Sequence, residues 1–258
     1  MEYIIGDIAI NVEDSGTGDP TLVFLHYWGG TSRTWFSVIS DLKPDYRCVA
    51  YDSRGWGLSE DSIAGFSLEE LAIEAKGVIN AVRVSNYVLI GHSMGGKVAQ
   101  LLASQRPEGL RGLVLVAPAT PTRTHFPQAA LQQQLHAYDD RSTVLQTIDF
   151  LSAKSLAPET VEQIIEDSLS GSPAAKRAWP TIGILEDIST EVSKIEVPAL
   201  IIAGGRDRLD SVDQHEREVL SRIRGAEIFV IPKSGHLIPI DEPKELAFAI
   251  RQFVRKKM

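Results

Sequence analysis

The chain has one cysteine, three methionines and no run of Lys or Arg longer than Arg255-Lys256-Lys257 in its 258 residues. Each shortage excludes something. A lone thiol cannot close an intrachain disulfide, so the fold rests on packing, and a reducing, cytoplasmic setting is the expectation. Cys48 stands in the apolar stretch Tyr46–Tyr51 with no His or basic helix start beside it, which reads as a buried structural thiol. With 26 Lys and Arg against 34 Asp and Glu, a formal net charge of -8 and no basic footprint, the chain is not expected to bind nucleic acid. No segment approaches the roughly 18 apolar residues of a membrane span, and Met1–Asp7 has neither the basic start nor the apolar core of a secretory signal. Hydrophobic residues at 43% and charged residues at 23% are ordinary globular proportions, so disorder, collagen repeats and coiled coil fail as overall descriptions.

What is present is an alternation of periods. Thr21–His26, Tyr46–Tyr51, Tyr87–Ile90 and Leu113–Ala117 are nearly continuous apolar, β-branched runs, the pattern of strands buried on both faces. Between them, Ser67–Val82 and Met94–Ser104 place apolar residues on one helical face, so the spacing predicts right-handed βαβ crossovers and a parallel sheet. The alternation lapses from Pro118 to about Glu191, where Gln-rich and charged helical stretches (128–138, 143–154, 158–169) are punctuated by prolines. It resumes at Val197–Ala203 and Ala226–Ile231, and the chain closes on an amphipathic helix over Asp241–Arg255. This reads as a sheet domain formed by residues 1–117 and 191–258, interrupted by a helical cap over 118–190.

The sharpest local motif is Gly91-His92-Ser93-Met94-Gly95, lying directly between a strand and a helix. Small residues two positions either side of a serine permit a turn tight enough to lift its hydroxyl clear of the sheet, which makes Ser93 a candidate nucleophile. The same stretch, Gly91 to Val98, also matches a phosphate-cradling loop through Lys97. Val98 decides against that reading, because it offers no hydroxyl to a magnesium ion. Lys97 is then expected to be a solvated helix residue. A serine needs a base, and the base needs an acid to fix its tautomer. Asp207 follows the strand ending at Ala203, and His236 follows the strand ending near Ile231; both fall in loops at the carboxyl ends of later strands. Asp210 and Asp213 are the alternative acids. His26 reads as a loop brace, His92 as a packing or supporting residue, and Asp52 with Arg54 as a structural ion pair or cap near the site. His125, His136 and His215 read as surface residues, and no His or acid pair has metal-ligand spacing, so no metal and no cofactor are expected.

These motifs together resemble the α/β-hydrolase family. His26-Tyr27-Trp28-Gly29-Gly30 is similar to its oxyanion loop, with Tyr27 where the family usually has Gly. Asp52-Ser53-Arg54-Gly55-Trp56-Gly57-Leu58-Ser59 is similar to its D-x-R-G-x-G-x-S turn, and Gly91–Gly95 to its elbow. The resemblance implies an α/β fold: a mostly parallel eight-stranded sheet with helices on both faces and the helical cap inserted after the sixth strand. It implies a triad of Ser93, Asp207 and His236, and an oxyanion hole formed by the backbone N–H groups of Trp28 and Met94.

The expected activity is hydrolysis of small, apolar or aromatic carboxylic esters through an acyl-enzyme on Ser93, as in serine carboxylesterases. Carbon–carbon bond hydrolases, lactonases and perhydrolases use the same triad, and a non-catalytic receptor could retain the fold. An Asp nucleophile, as in haloalkane dehalogenases and epoxide hydrolases, is disfavoured by Ser93. Tyr27, Tyr138, Trp179 and Leu237 are the expected substrate-binding residues. Phe126, Leu131, Leu135, Phe150, Leu151, Ile182 and Leu185 are further apolar cap candidates. The expected partner is a small-molecule ester, with no nucleic acid and no membrane, and the chain a monomer or homodimer.

Overall fold

The computed structural model, which describes residues 1–258, joins the apolar runs into one eight-stranded sheet in the order β1-β2-β4-β3-β5-β6-β7-β8. The strands are β1 (Glu2–Ile5), β2 (Ile8–Ser15), β3 (Thr21–Leu25), β4 (Cys48–Tyr51), β5 (Tyr87–His92), β6 (Leu110–Val116), β7 (Ala199–Gly204) and β8 (Glu227–Ile231). From β4 across to β8 every pairing is parallel; β1 and β2 add an antiparallel edge. The helices are α1 (Phe36–Leu42), α2 (Leu68–Ala81), α3 (Met94–Ser104), α4 (Gln128–Leu135), α5 (Arg141–Leu151), α6 (Pro158–Ser170), α7 (Pro173–Thr181), α8 (Ser189–Val192), α9 (Val212–Glu218), α10 (Ile238–Asp241) and α11 (Pro243–Lys257). No helix is long and apolar enough to cross a membrane.

Two apolar layers form because successive strand residues point to opposite faces. In β3, Leu22 and Phe24 join α1 and α11 on one side, whereas Val23 and Leu25 join α2 and α3 on the other. The central strands are therefore buried on both faces, which is why they read as unbroken apolar runs. Helix α2 starts where Ser67 caps the Glu70 N–H and the Glu70 carboxylate accepts from the Ser67 N–H, a reciprocal pair that satisfies two otherwise orphaned donors. Cys48 is buried without a disulfide partner, and burial pushes its thiol up to about 12, so it is inert.

Helices α4 to α8 lie between β6 and β7 in the chain. One side chain ties both ends of this segment to the sheet domain. Lys97, expected on a solvated face, is fully buried on α3, and its ammonium donates to the carbonyl oxygens of Glu186 at 2.7 Å and Thr122 at 3.3 Å. Its spacing is that of an amphipathic helix, but α3 is covered on every side, so the residue's polarity misleads; burial lowers its ammonium to about 8. His215 is a second correction. It is buried, with neither ring nitrogen hydrogen-bonded, because α9 turns that position inward. Asp52 and Arg54 are not paired with each other: Asp52 accepts from the Ser32 and Leu58 N–H groups and from Asn11, and Arg54 Nε meets buried Glu74 at 2.7 Å.

Candidate active site

Four loops converge at the carboxyl edge of the parallel strands, the edge where ligands gather in open α/β sheets. Ser93 follows β5 directly and begins α3. Its backbone is left-handed at φ 53° and ψ -114°, a conformation that costs about 1–3 kcal/mol for a residue with a Cβ. The turn is that tight because Gly95 lies against the β3 chain: a Cβ there would come within 2.5 Å of the His26 carbonyl oxygen.

The structure brings Ser93, His236 and Asp207 together. Ser93 Oγ donates to His236 Nε2 at 2.8 Å, and His236 Nδ1 donates to Asp207 Oδ2 at 2.8 Å. The second Asp207 oxygen accepts the backbone N–H groups of Leu209 at 2.8 Å and Asp210 at 3.0 Å. Burial acts to raise the Asp207 carboxyl, but the neighbouring imidazole and these donors hold it below the usual carboxylate range. For His236, burial pulls the imidazolium down, and Asp207, with Asp210 and Asp241 behind it, more than offsets that and raises the histidine above its ordinary value. Asp213, on the exposed face of α9, takes no part.

Around the triad, each supporting contact has a direction. His92 Nε2 donates to the His236 carbonyl at 2.8 Å, and burial drops its ring to about 3, so it stays neutral. The loop bearing His236 hangs on Asp241, which accepts from the Gly235 and Ala153 N–H groups and from Ser152 Oγ. The His236 N–H itself donates to the Leu151 carbonyl at 2.7 Å, at the end of α5. Asp241 is a positioning residue that residue-type reasoning passes over, since an acid at a helix start reads as a cap.

The loop after β3 is fixed from both sides. His26 Nδ1 donates to the Tyr27 carbonyl at 2.7 Å and its Nε2 accepts the Ser53 N–H at 3.0 Å, an arrangement open only to the neutral ring. A trans peptide is planar with its C=O and N–H opposed, so anchoring the Tyr27 oxygen turns the Trp28 N–H the other way. That N–H donates to no protein group. From the helical segment, Tyr138 Oη donates to the Trp28 carbonyl at 2.7 Å, Ser168 Oγ to the Gly29 carbonyl at 2.8 Å, and Trp28 Nε1 reaches the Lys176 carbonyl at 3.1 Å. Met94, the first residue of α3, carries one of the orphaned N–H groups of a helix start.

A cavity of about 890 Å³ opens onto Ser93 and His236. Tyr27, Trp28, Tyr138 and Trp179 line it, with Phe126, Phe150 and Leu151. Leu237 does not: it is 1% exposed and packs in the core, because the chain turns into α10 immediately after His236. Leu131, Leu135, Ile182 and Leu185 also stand outside the lining. The cavity wall is mainly apolar, with Gln132, Gln133, Gln146, Thr147, Asp210 and Gln214 also facing in. The Gln run of α4 is the signal that carried its polar part, and helical polarity reads as solvent-facing until the cavity is seen. No group of three or more His, Cys, Asp or Glu is placed to hold a metal ion.

A model of the alpha/beta hydrolase family matches residues 22–249. The AB hydrolase superfamily protein YisY of Bacillus subtilis is 28% identical over 262 residues, covering 95% of each chain. Among solved structures, an esterase from Exiguobacterium antarcticum superposes with a TM-score of 0.88 at 23% identity over 96% of each chain. A thermophilic esterase from Thermogutta terrifontis does so with a TM-score of 0.84 at 27% identity, over 96% of this chain and 94% of its own.

Proposed function

The chain belongs to the alpha/beta hydrolase family, and from that premise we propose that it is a serine hydrolase that cleaves small carboxylic esters through an acyl-enzyme on Ser93. The observation that carries this reading is the unbroken relay Ser93–His236–Asp207, with both hydrogen bonds at 2.8 Å.

In the proposed mechanism Ser93 Oγ attacks the ester carbonyl carbon while its proton passes to His236 Nε2. The negative charge moves to the carbonyl oxygen, which the Trp28 and Met94 N–H groups receive; each such donor contributes about 3 kcal/mol to the transition state. The carbon–oxygen bond to the alcohol then breaks, and His236 gives its proton to the departing oxygen. Water, deprotonated by the same imidazole, adds to the acyl-enzyme; its collapse releases the carboxylic acid and returns the proton to Ser93. Asp207 holds the Nδ1–H tautomer and stabilises the imidazolium. The helical segment between β6 and β7 acts as a cap whose aromatic side chains favour apolar or aromatic acyl and alcohol parts. Similarity to the Thermogutta terrifontis esterase supports the ester class.

The test is a panel of p-nitrophenyl and alkyl esters of increasing acyl length, run on the wild type and Ser93→Ala. Turnover that falls by at least about a thousandfold in the variant is expected; a variant keeping a tenth of the activity would remove Ser93 from the mechanism.

A further inference from the structure

Asp210 is the one carboxyl group facing the cavity, and half of it is unaccounted for. Its Oδ1 accepts from Gln214 Nε2 at 2.9 Å, and its backbone N–H serves Asp207. Its Oδ2 has no protein hydrogen-bond partner and is reached from the cavity, although the residue as a whole is only 8% exposed. What it faces is the cavity, and no Lys or Arg lines that cavity. Arg208, close by in the loop, is turned away: its guanidinium lies 5.4 Å from the Phe150 ring centroid and donates to the Asp149 carbonyl.

We propose that Asp210, held by Gln214, is a specificity subsite that binds a hydroxyl or protonated amine carried on the leaving-group side of the substrate. The proposal rests on the ester-hydrolase reading. The side of the site follows from the chemistry: His236 protonates the departing oxygen, so the alcohol part of an ester lies toward the histidine. Asp210 is on that side, one turn of loop from Asp207 and within the electrostatic reach of His236. Burial, with Asp207 adding to it and His236 opposing, raises the Asp210 carboxyl to about 7, so near neutrality it is available as acceptor and donor. A negatively charged alcohol part finds no Lys or Arg in the cavity lining to meet it.

Esters with a common acyl group isolate this subsite, since all share one acyl-enzyme and differ only in its formation. Propyl butanoate and hydroxyethyl butanoate are nearly isosteric, and carboxymethyl butanoate adds a negative charge. The wild type is expected to prefer hydroxyethyl over propyl in kcat/KM by roughly tenfold and to reject carboxymethyl. Asp210→Leu should remove or invert the hydroxyethyl preference, and Asp210→Asn, which keeps an acceptor oxygen, should retain part of it. The same esters titrated calorimetrically into Ser93→Ala, alone and combined with Asp210→Leu, read the preference without turnover. A hydroxyethyl-to-propyl ratio that is equal in wild type and Asp210→Leu, in kinetics or in binding, overturns the subsite. Loss of the ratio in binding with no Ser93-dependent turnover of any ester would uphold the subsite and sink the hydrolase reading instead.

Discussion

The Tyr138 hydroxyl donates a 2.7 Å hydrogen bond to the Trp28 carbonyl, and the two rings sit 4.5 Å apart between centroids. One residue belongs to the helical segment after α4, the other to the loop after β3 whose free N–H is aimed by His26. The contact therefore couples the segment to the backbone that would receive an oxyanion. Tyr138→Phe keeps the ring packing and removes only the hydrogen bond. A fall in kcat of about tenfold is expected, with KM changed less than threefold and a parallel loss of affinity for a boronic acid transition-state mimic. A rise in KM alone would make Tyr138 a simple wall of the pocket.

Acidification is expected to switch the enzyme off through His236. The base must be neutral, and its folded value lies above 6.5, so kcat/KM should fall as pH drops through a midpoint above that value. Asp210 titrates nearby, at about 7, and the two groups share the acid limb. Asp210→Asn removes one of the charges that hold the imidazolium up, so the limb should move to lower pH. An unmoved limb in that variant would separate Asp210 from the histidine.

Relieving the elbow should stabilise the protein at the expense of activity. Ser93→Gly suits φ 53° without a Cβ, and unfolding in urea should show a gain of about 1 kcal/mol together with lost turnover. Equal or lower stability would mean that the strain is smaller than the lost Ser93–His236 bond.

The Arg54–Glu74 pair should matter for folding rather than chemistry. Glu74 is fully buried and Arg54 is its only cationic partner, at 2.7 Å. Arg54→Met strands the carboxylate, and a loss of about 3–5 kcal/mol is expected at neutral pH. Burial already raises the Glu74 carboxyl, so the variant should recover part of that loss on acidification, as the unpaired group takes up a proton. A pH-independent loss would place the cause in packing.

Much of this arrangement is legible in the residues themselves. Buried strands such as Thr21–Leu25 and Ala199–Gly204 read clearly because both faces are apolar, and the Gly91–Gly95 spacing marks the turn because close backbone approach tolerates nothing larger. The antiparallel edge is fainter: β2 alternates Ile8, Ile10 and Val12 with polar neighbours, a half-buried pattern easily lost beside unbroken runs. Side chains whose character opposes their place cannot be read from type. Lys97 and His215 are polar yet buried, Gln132 and Gln133 are polar yet face the cavity, and Leu237 is apolar beside the triad yet turned into the core. Lys97 and the glutamines depend on how the helical segment packs across the sheet, and His215 and Leu237 on how α9 and α10 turn inward, none of which a local pattern encodes.

Acylation of one serine is the most direct measure of the central claim. After rapid mixing with p-nitrophenyl butanoate and acid quench, intact-protein mass spectrometry should find a single butanoyl group. Peptide mapping should place it on Ser93, and it should be absent from Ser93→Ala. Release of p-nitrophenolate by the wild type with no acylated serine, or equal release by Ser93→Ala, would contradict the account.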